Sequence, residues 1–450
     1  MYELDTIAAI ATPPGPGGIG IVRVSGPQAG AVADAVFRRR GGGPWRSHQL
    51  YAGRLCAADG STLDAGMAVF MRGPRSYTGE DVLELHCHGS PVVLEQVLRT
   101  VLALGARPAL AGEFTKRAFL NGRLDLTQAE AVMALVTART ADAAQTAAAQ
   151  LCGGLSAHVA DIRERLIRAK AHVEAELDFG DEDVGLDPGA LVGDVQAAQA
   201  AVDALLATAA RGELLQRGLR VALSGRPNAG KSSLLNALVG VERAIVTAQP
   251  GTTRDVIEAA VDIAGVPVTL VDTAGLRDTG DATERLGVAR AEHAAAAADL
   301  VLLVLDTARP FAEQASLLGR AEAIAVLNKC DLPSVWSADD DATAAAAHPC
   351  VRISATTPVG LDALRQAIIA RAGVQWADNL PPLTSARQRE ALTRVAGSLA
   401  AARAALTAGL PPELVAVDLQ AALEHIGTVT GAVTSDDVLD AVFREFCIGK

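Results

Sequence analysis

Eight residues fix the architecture of the middle of this chain. Gly225-Arg226-Pro227-Asn228-Ala229-Gly230-Lys231-Ser232 fits the pattern GxxxxGK[ST]. It follows the apolar run Val221-Ala222-Leu223 and precedes a helical pattern from Ser233 to Leu238. A strand that ends in such a loop and turns into a helix aims backbone N–H groups at a phosphate. The glycines let the backbone wrap around the anion. Lys231 supplies a cation for the β- and γ-phosphates, and the Ser232 hydroxyl is placed for Mg²⁺. Further apolar runs at Val268–Val271, Leu300–Leu305 and Ile324–Leu327 alternate with helical stretches. That alternation predicts a mainly parallel sheet with crossover helices over 218–373.

Three later motifs select the nucleotide. Asp272-Thr273-Ala274-Gly275 ends a strand, so the carboxylate reaches Mg²⁺ through water and the Gly275 N–H meets the γ-phosphate. Asn328-Lys329-Cys330-Asp331 also follows a strand. The Asp331 carboxylate matches N1–H and N2–H₂ of guanine, a pattern adenine does not offer. At Ser354-Ala355 a backbone N–H is placed to donate to the guanine O6. An ATP-binding alternative discards Asn328 and Asp331, so the order of motifs implies a GTPase. Between them, Thr247-Ala248-Gln249-Pro250-Gly251-Thr252-Thr253 reads as a switch segment, with Thr253 the second hydroxyl ligand of Mg²⁺. The predicted nucleotide contacts are this segment, Asn228 to Ser233, and the three later motifs. Leu276, not Gln, follows Gly275, so another group must position the attacking water. Glu284 is the candidate beside Lys231, although an acid opening a helix is more simply a favourable dipole partner.

The flanks differ from this segment. Residues 1–120 read as mixed α/β, with strand character at Ile19–Val24 and Val82–His86. From Leu126 the period becomes helical. Thr127 and Glu130 have capping-box spacing, and Leu155, Val159, Ile162, Leu166, Val173 and Leu177 share one helix face. Helix continues from about Gly193 to Ala210, returns at Ser385–Leu406, and closes with Val438–Phe446, where Leu439, Val442, Phe443 and Phe446 recur at helical intervals. The plan is a multidomain α/β and α protein, in which 218–373 is inserted into a helical domain built from 121–217 and 374–450. With 3% aromatic residues, the cores must be built from Ala, Val and Leu. Acidic residues outnumber basic ones 52 to 40, which argues against a protein coated in basic patches. No run of 18 strongly apolar residues suggests a membrane span. Met1 to Asp5 has no basic n-region. The six cysteines are scattered without a CxxC pair, so a reducing cytoplasm and no disulfide framework are expected.

At these residues the chain resembles the tRNA-modification GTPase family MnmE, also called TrmE. The match covers essentially the whole length. It includes Ala11-Thr12-Pro13-Pro14-Gly15, Tyr77-Thr78-Gly79-Glu80-Asp81, Gly112-Glu113-Phe114-Thr115, the run Arg117 to Gly122, and Cys447-Ile448-Gly449-Lys450. The resemblance implies a homodimer joined through 1–120, a domain that binds a formylated tetrahydrofolate such as 5-formyltetrahydrofolate through Arg23, Glu80, Arg123 and Lys450. Arg123 stands where the family commonly has lysine. It implies a K⁺-stimulated GTPase with K⁺ contacts at Asn228, Thr247, Gln249 and Thr252, where Gln249-Pro250 replaces the common Ile-Ala. It implies work with the flavoprotein MnmG (GidA) on the wobble uridine of certain tRNAs, adding an aminomethyl or carboxymethylaminomethyl group at C5. Cys447 is a candidate thiol for that chemistry.

Simpler readings stand beside these. His86 and His88 share a strand face, but no third ligand is evident and a metal site is not expected. Arg38-Arg39-Arg40 reads more simply as a solvated connection beside a Gly-rich loop than as a tRNA contact. A regulatory or ribosome-assembly GTPase remains the alternative function, although neither flank resembles an RNA-binding module.

Overall fold

The computed structural model describes residues 5–179, 188–241, 257–272, 296–319, 323–357, 359–373 and 380–450. They group into two compact units, one of Met1–Met133, Leu151–Lys170 and Val417–Lys450, the other of Ala134–Gln150 and Ala171–Ala416.

The first unit holds strands β1 (Ile7–Ile10), β2 (Gly17–Ser25), β3 (Phe37–Arg39), β4 (Gln49–Cys56), β5 (Thr62–Met71), β6 (Val82–Gly89) and β7 (Arg107–Pro108). They form one sheet in the order β3-β4-β5-β6-β2-β1-β7. Every pairing is antiparallel except β1 with β7. Alternation divides the faces. Val22, Val24, Leu83 and Leu85 are buried in one cluster with Val32 and Val36 of the helix Ala29–Val36 and Val97 and Val101 of the helix Pro91–Ala103. Arg23, Glu84 and His86 therefore fall on the other face. The reading of Arg38-Arg39-Arg40 as a connection is corrected: Arg38 and Arg39 lie in the edge strand β3.

The capping box expected at Thr127 and Glu130 is also corrected. Asp125 Oδ1 accepts from Gln128 N at 2.9 Å, and Gln128 Oε1 accepts from Asp125 N at 3.0 Å, so the helix Leu126–Thr137 is capped two residues earlier. Thr127 is fully buried and its hydroxyl donates to Asp125. Leu126, Ala129 and Val132 pack with Leu439, Phe443 and Phe446. The last helix runs Asp436–Arg444, and its cap is Ser435, which accepts from Val438 N. Leu155, Val159, Ile162, Leu166 and Val173 are buried as the period predicts; Leu177, in the last turn of the helix Gly154–Phe179, is 39% exposed.

The second unit carries β8 (Leu219–Ser224), β9 (Ile257–Ile263), β10 (Val266–Asp272), β11 (Leu300–Asp306), β12 (Ala323–Asn328) and β13 (Cys350–Arg352). The order is β13-β12-β11-β8-β10-β9, parallel throughout except β9 with β10. That hairpin turns on Ala264 and Gly265, both at positive φ. Every residue of β11 is buried, as a central parallel strand requires. Because β8, β10, β12 and β13 run the same way, Gly225, Asp272, Asn328 and Ser354 come to one edge of the sheet. Among the described residues, Gly189–Arg217 is long and apolar enough by composition to cross a membrane. Its helix Pro188–Ala207 packs along the helix Ala386–Thr407, with Val195, Ala198, Val202 and Leu205 buried.

Candidate functional site

β8 is fully buried at Val221, Ala222 and Leu223, and the helix Lys231–Val241 buries Leu234 and Leu238 one turn apart. The loop between them is held rigidly at both ends. Asn228 and Gly230 take φ of 61° and 99°. The Gly225 Cα abuts Val304 O so closely that a Cβ there would lie 2.4 Å away. Lys231 Nζ donates to Gly225 O at 3.0 Å and to Arg226 O at 2.8 Å. The ammonium is thus already inside the loop that would surround a phosphate.

Ser232 Oγ donates to Asp272 Oδ2 at 2.7 Å. A hydroxyl and a carboxylate at the edge of the sheet are the oxygen donors Mg²⁺ takes, so these residues fit that ion. Asn328 braces three motifs at once. Its Nδ2 donates to Ala229 O at 2.8 Å and its Oδ1 accepts from Ala355 N at 3.0 Å. At 1% exposure its amide is spent on the protein, bracing the loops at Ala229 and Ala355 from behind. Lys329, at φ 66°, reaches Asp306 Oδ2 at 2.7 Å. Asp331 is exposed, and the Ser354 hydroxyl beside it holds its carboxyl below the ordinary value. A guanine-reading carboxylate must be charged, and this one is. The O6 donor expected at Ser354-Ala355 is otherwise engaged: Ser354 N donates to Val359 O, and Ala355 N to Asn328. Glu284, Thr273, Ala274, Gly275 and the segment Thr247 to Thr253 lie outside the described residues.

A second concentration of polar groups lies in the first unit. Arg23 donates from Nε and Nη2 to Glu84 Oε1, both at 2.9 Å, and from Nη1 to Gly449 O at 3.4 Å. Its guanidinium sits 5.4 Å from the Tyr77 ring centre and 5.7 Å from that of Phe114. A hydrogen bond from His86, with the charge of Arg23, keeps Glu84 ionised below its usual range against the effect of burial. Glu80 accepts from Ser25 Oγ at 2.7 Å and from Arg117 Nη1 at 3.1 Å. Arg123 is exposed, and its Nε donates to Ser76 O at 3.1 Å. The four residues Cys447–Lys450 are threaded into the same unit. Gly112 N donates to Cys447 O, Phe114 N to Lys450 O, and Ala111 bridges Ile448. Gly449, at φ 97°, lies so close to Ile10 O that a Cβ would approach to 2.4 Å. The Cys447 side chain is exposed.

Sequence reasoning missed the groups behind this cluster. Arg117 is completely buried, between Asp5 Oδ1 at 2.6 Å, Glu80 Oε2 at 3.1 Å and Glu113 Oε1 at 3.1 Å. Arg107 closes the network onto Asp5 and Glu113. The one available signal was Glu113 and Arg117 at i,i+4 on a short helix. His86 and His88 are used separately, against Glu84 and Asp64, and no metal-binding cluster is present among the described residues.

Comparison with known proteins matches 6–123 to the family described as "GTP-binding protein TrmE N-terminus" and 126–447 to "MnmE helical domain". Proteins named "tRNA modification GTPase MnmE" are similar over the whole length. The one from Roseiflexus sp. (strain RS-1) is 47% identical with 100% of both chains covered, and that of Synechococcus sp. (strain CC9605) 46% with the same coverage. That of Symbiobacterium thermophilum is 47% identical over 99% of each chain.

Proposed function

The chain belongs to the MnmE family of tRNA modification GTPases, and from that premise we propose that it is the GTP-hydrolysing half of a wobble-uridine modification system. It works as a cytoplasmic homodimer with the flavoprotein MnmG. Together they add an aminomethyl or carboxymethylaminomethyl group to C5 of the wobble uridine of certain tRNAs, with GTP hydrolysis driving a conformational cycle. The division of labour is 1–120 for folate binding and dimerisation, 218–373 for GTP, and 121–217 with 374–450 as the helical domain.

In hydrolysis, Lys231 leaves its two loop carbonyls to meet the β- and γ-phosphates, and Asp331 reads the guanine edge. Glu284 orients the attacking water. Ser232 and Thr253 would hold Mg²⁺, and Asn228, Thr247, Gln249 and Thr252 would hold K⁺; such ions would supply positive charge beside the phosphates. Arg23, Glu80, Arg123 and Lys450 would hold a 5-formyltetrahydrofolate, a source of a one-carbon unit.

The observation that carries this reading beyond GTP hydrolysis is the seating of Cys447–Lys450 beside Arg23. A tail held by backbone hydrogen bonds and a wedged glycine brings an ammonium and a thiol into the unit that carries Arg23 and Glu80. The fit to a folate is chemical: cations for its carboxylates, Glu80 for its pterin donors, and the Tyr77 and Phe114 rings beside Arg23. Calorimetric titration of the full chain with 5-formyltetrahydrofolate tests it. Binding is expected, weakened by about tenfold or more in Arg23→Ala, since a charge-assisted hydrogen bond contributes roughly 1.5–3 kcal/mol. An intact chain that takes up no folate overturns the assignment.

A further inference from the structure

The open face of the first unit's sheet carries a groove of about 820 Å³ lined by none of the GTP or folate residues named above. Strand register determines what lines it. Arg38 stands directly opposite Arg54, and Arg54 opposite Ala65, in one row across β3, β4 and β5. One row along, Arg40 pairs with Ala52, and Ala52 with Met67. Arg39, pointing the other way, stacks on Trp45 at 4.4 Å. The groove thus has a floor of Ala52, Ala65 and Met67, with Ile19 and His86 beside them, and three exposed arginines at its wall.

Two like charges in direct cross-strand opposition destabilise a sheet. Protection of an open edge accounts for charge on β3, the outermost strand, but not for Arg54 one strand further in. No neighbouring acid offsets it. Asp64 is engaged by His88, Glu84 by Arg23 and His86, and Asp34 by Trp45 Nε1. Among the described residues, the guanidiniums of Arg40 and Arg54 have neither an ion pair nor a hydrogen bond. In a chain of net charge −12, three cations gathered with only the Asp34 carbonyl against Arg38 are a local feature with a cost. Arg38 in β3 and Arg40, the residue just past its end, are two positions apart, about 6–7 Å along an extended chain, comparable to the spacing of successive phosphates on a nucleic-acid strand. The short side chains of Ala52 and Ala65 beside Arg54 let a backbone approach closely there.

We propose that this groove binds the sugar–phosphate backbone of RNA, and that it is where the chain grips its tRNA. The proposal rests on the tRNA-acting reading above and extends it to a surface. Contacts of this kind are independent of base sequence and strongly salt-dependent.

The test is fluorescence anisotropy of labelled tRNA with the full chain, across 50–200 mM salt. Arg54→Glu should weaken tRNA binding by about tenfold, and the double variant Arg40→Glu/Arg54→Glu should lower the slope of log affinity against log salt by about two. An unrelated RNA of equal length should lose affinity alike. The melting temperature of Arg54→Glu should not fall, because the new carboxylate faces Arg38; a merely disruptive change would lower it. GTP turnover without tRNA should be unchanged. Unaltered tRNA affinity in the double variant overturns the proposal. So does a loss of affinity accompanied by a changed oligomeric state in light scattering, which would assign this face to contact between copies. Wobble modification is measured in parallel. Modification with binding indifferent to the double variant defeats the groove alone, whereas absence of both binding and modification in the parent defeats the family-based reading with it.

Discussion

Arg117 has no exposed surface, yet three carboxylates converge on it from Asp5, Glu80 and Glu113. Burying a cation this way is tolerated only while its partners are present. Arg117→Met should therefore cost about 3–5 kcal/mol in urea unfolding, because Glu80 keeps its burial without the Arg117 charge and Glu113 keeps only Arg107. A loss below about 1 kcal/mol would show that the network is slack. The acids also fix the pH response. Burial raises the Asp5 and Glu113 carboxyls, but hydrogen bonds from Arg107 and Arg117 outweigh it and leave both depressed. Groups depressed in the folded state contribute stability that is present above their unfolded values, near pH 4, and is lost as pH falls through the folded values. Stability should drop below about pH 4, and by less in Arg117→Met, whose Asp5 and Glu113 carboxyls lose part of their depression. A second residue-scale prediction concerns Asn228, exposed and held at φ 61° in the phosphate loop. If its side-chain oxygen helps to hold K⁺, KCl should accelerate GTP hydrolysis over NaCl at equal ionic strength, and Asn228→Ala should erase the difference. Equal rates for the parent would remove the ion from the mechanism. Lys231, Ser232, Asp272 and Asp331 were legible because each stands in a short motif at or just after the end of an apolar strand. The Arg117 network was not, since Arg117 and Asp5 are 112 positions apart and only the fold brings them together.

Elements were legible where burial is two-sided or strongly periodic. The apolar runs of β8, β10, β11 and β12 are buried on both faces of a parallel sheet, so the sequence needed no alternation to reveal them. β4 and β5 escaped because apolar Leu50 and Met67 stand on the open face while Gly53 and Gly66 stand on the buried one, which blurs an alternating pattern. The helices Ala141–Leu151 and Pro412–Thr430 escaped for a related reason: Ala-rich sequence gives little contrast between faces. The phosphate loop shows how tightly neighbouring elements are matched. A Cβ on Gly230 would lie 2.2 Å from Asn328 Nδ2, and its φ of 99° disfavours any side chain. Gly230→Ala must displace either the loop or the Asn328 brace between Ala229 and Ala355. The expected outcome is a loss of about 1–3 kcal/mol in stability and GTP binding weakened by about tenfold or more, read by chemical denaturation and nucleotide titration. Binding at the parent's level would show that the brace is dispensable.

At the scale of the whole molecule, two chemistries are built in different places. Every contact made by Lys231, Ser232, Asn328 and Asp331 described above lies within the second unit, and every contact of Cys447–Lys450 within the first. The tail is anchored independently of its last two residues by Leu439, Phe443 and Phe446, which bury against Leu126, Ala129 and Val132. Removing Gly449 and Lys450 therefore takes away the wedge against Ile10, the hydrogen bond from Phe114 N and the carbonyl beside Arg23, while leaving the helix Asp436–Arg444 seated. It leaves the phosphate loop and the Asn328 brace untouched. The truncated chain should fold, bind GTP and hydrolyse it at close to the parent's basal rate. In cells whose only copy is the truncated form, wobble-uridine modification should collapse, because the tail no longer brings Lys450 into the unit that carries Arg23. Conversely, Gly230→Ala should weaken GTP binding while sparing folate uptake by the full chain. Parallel loss of GTP turnover and modification in the truncated chain would mean that the tail supports the GTP site as well. Normal modification would mean that Lys450 has no part in the chemistry.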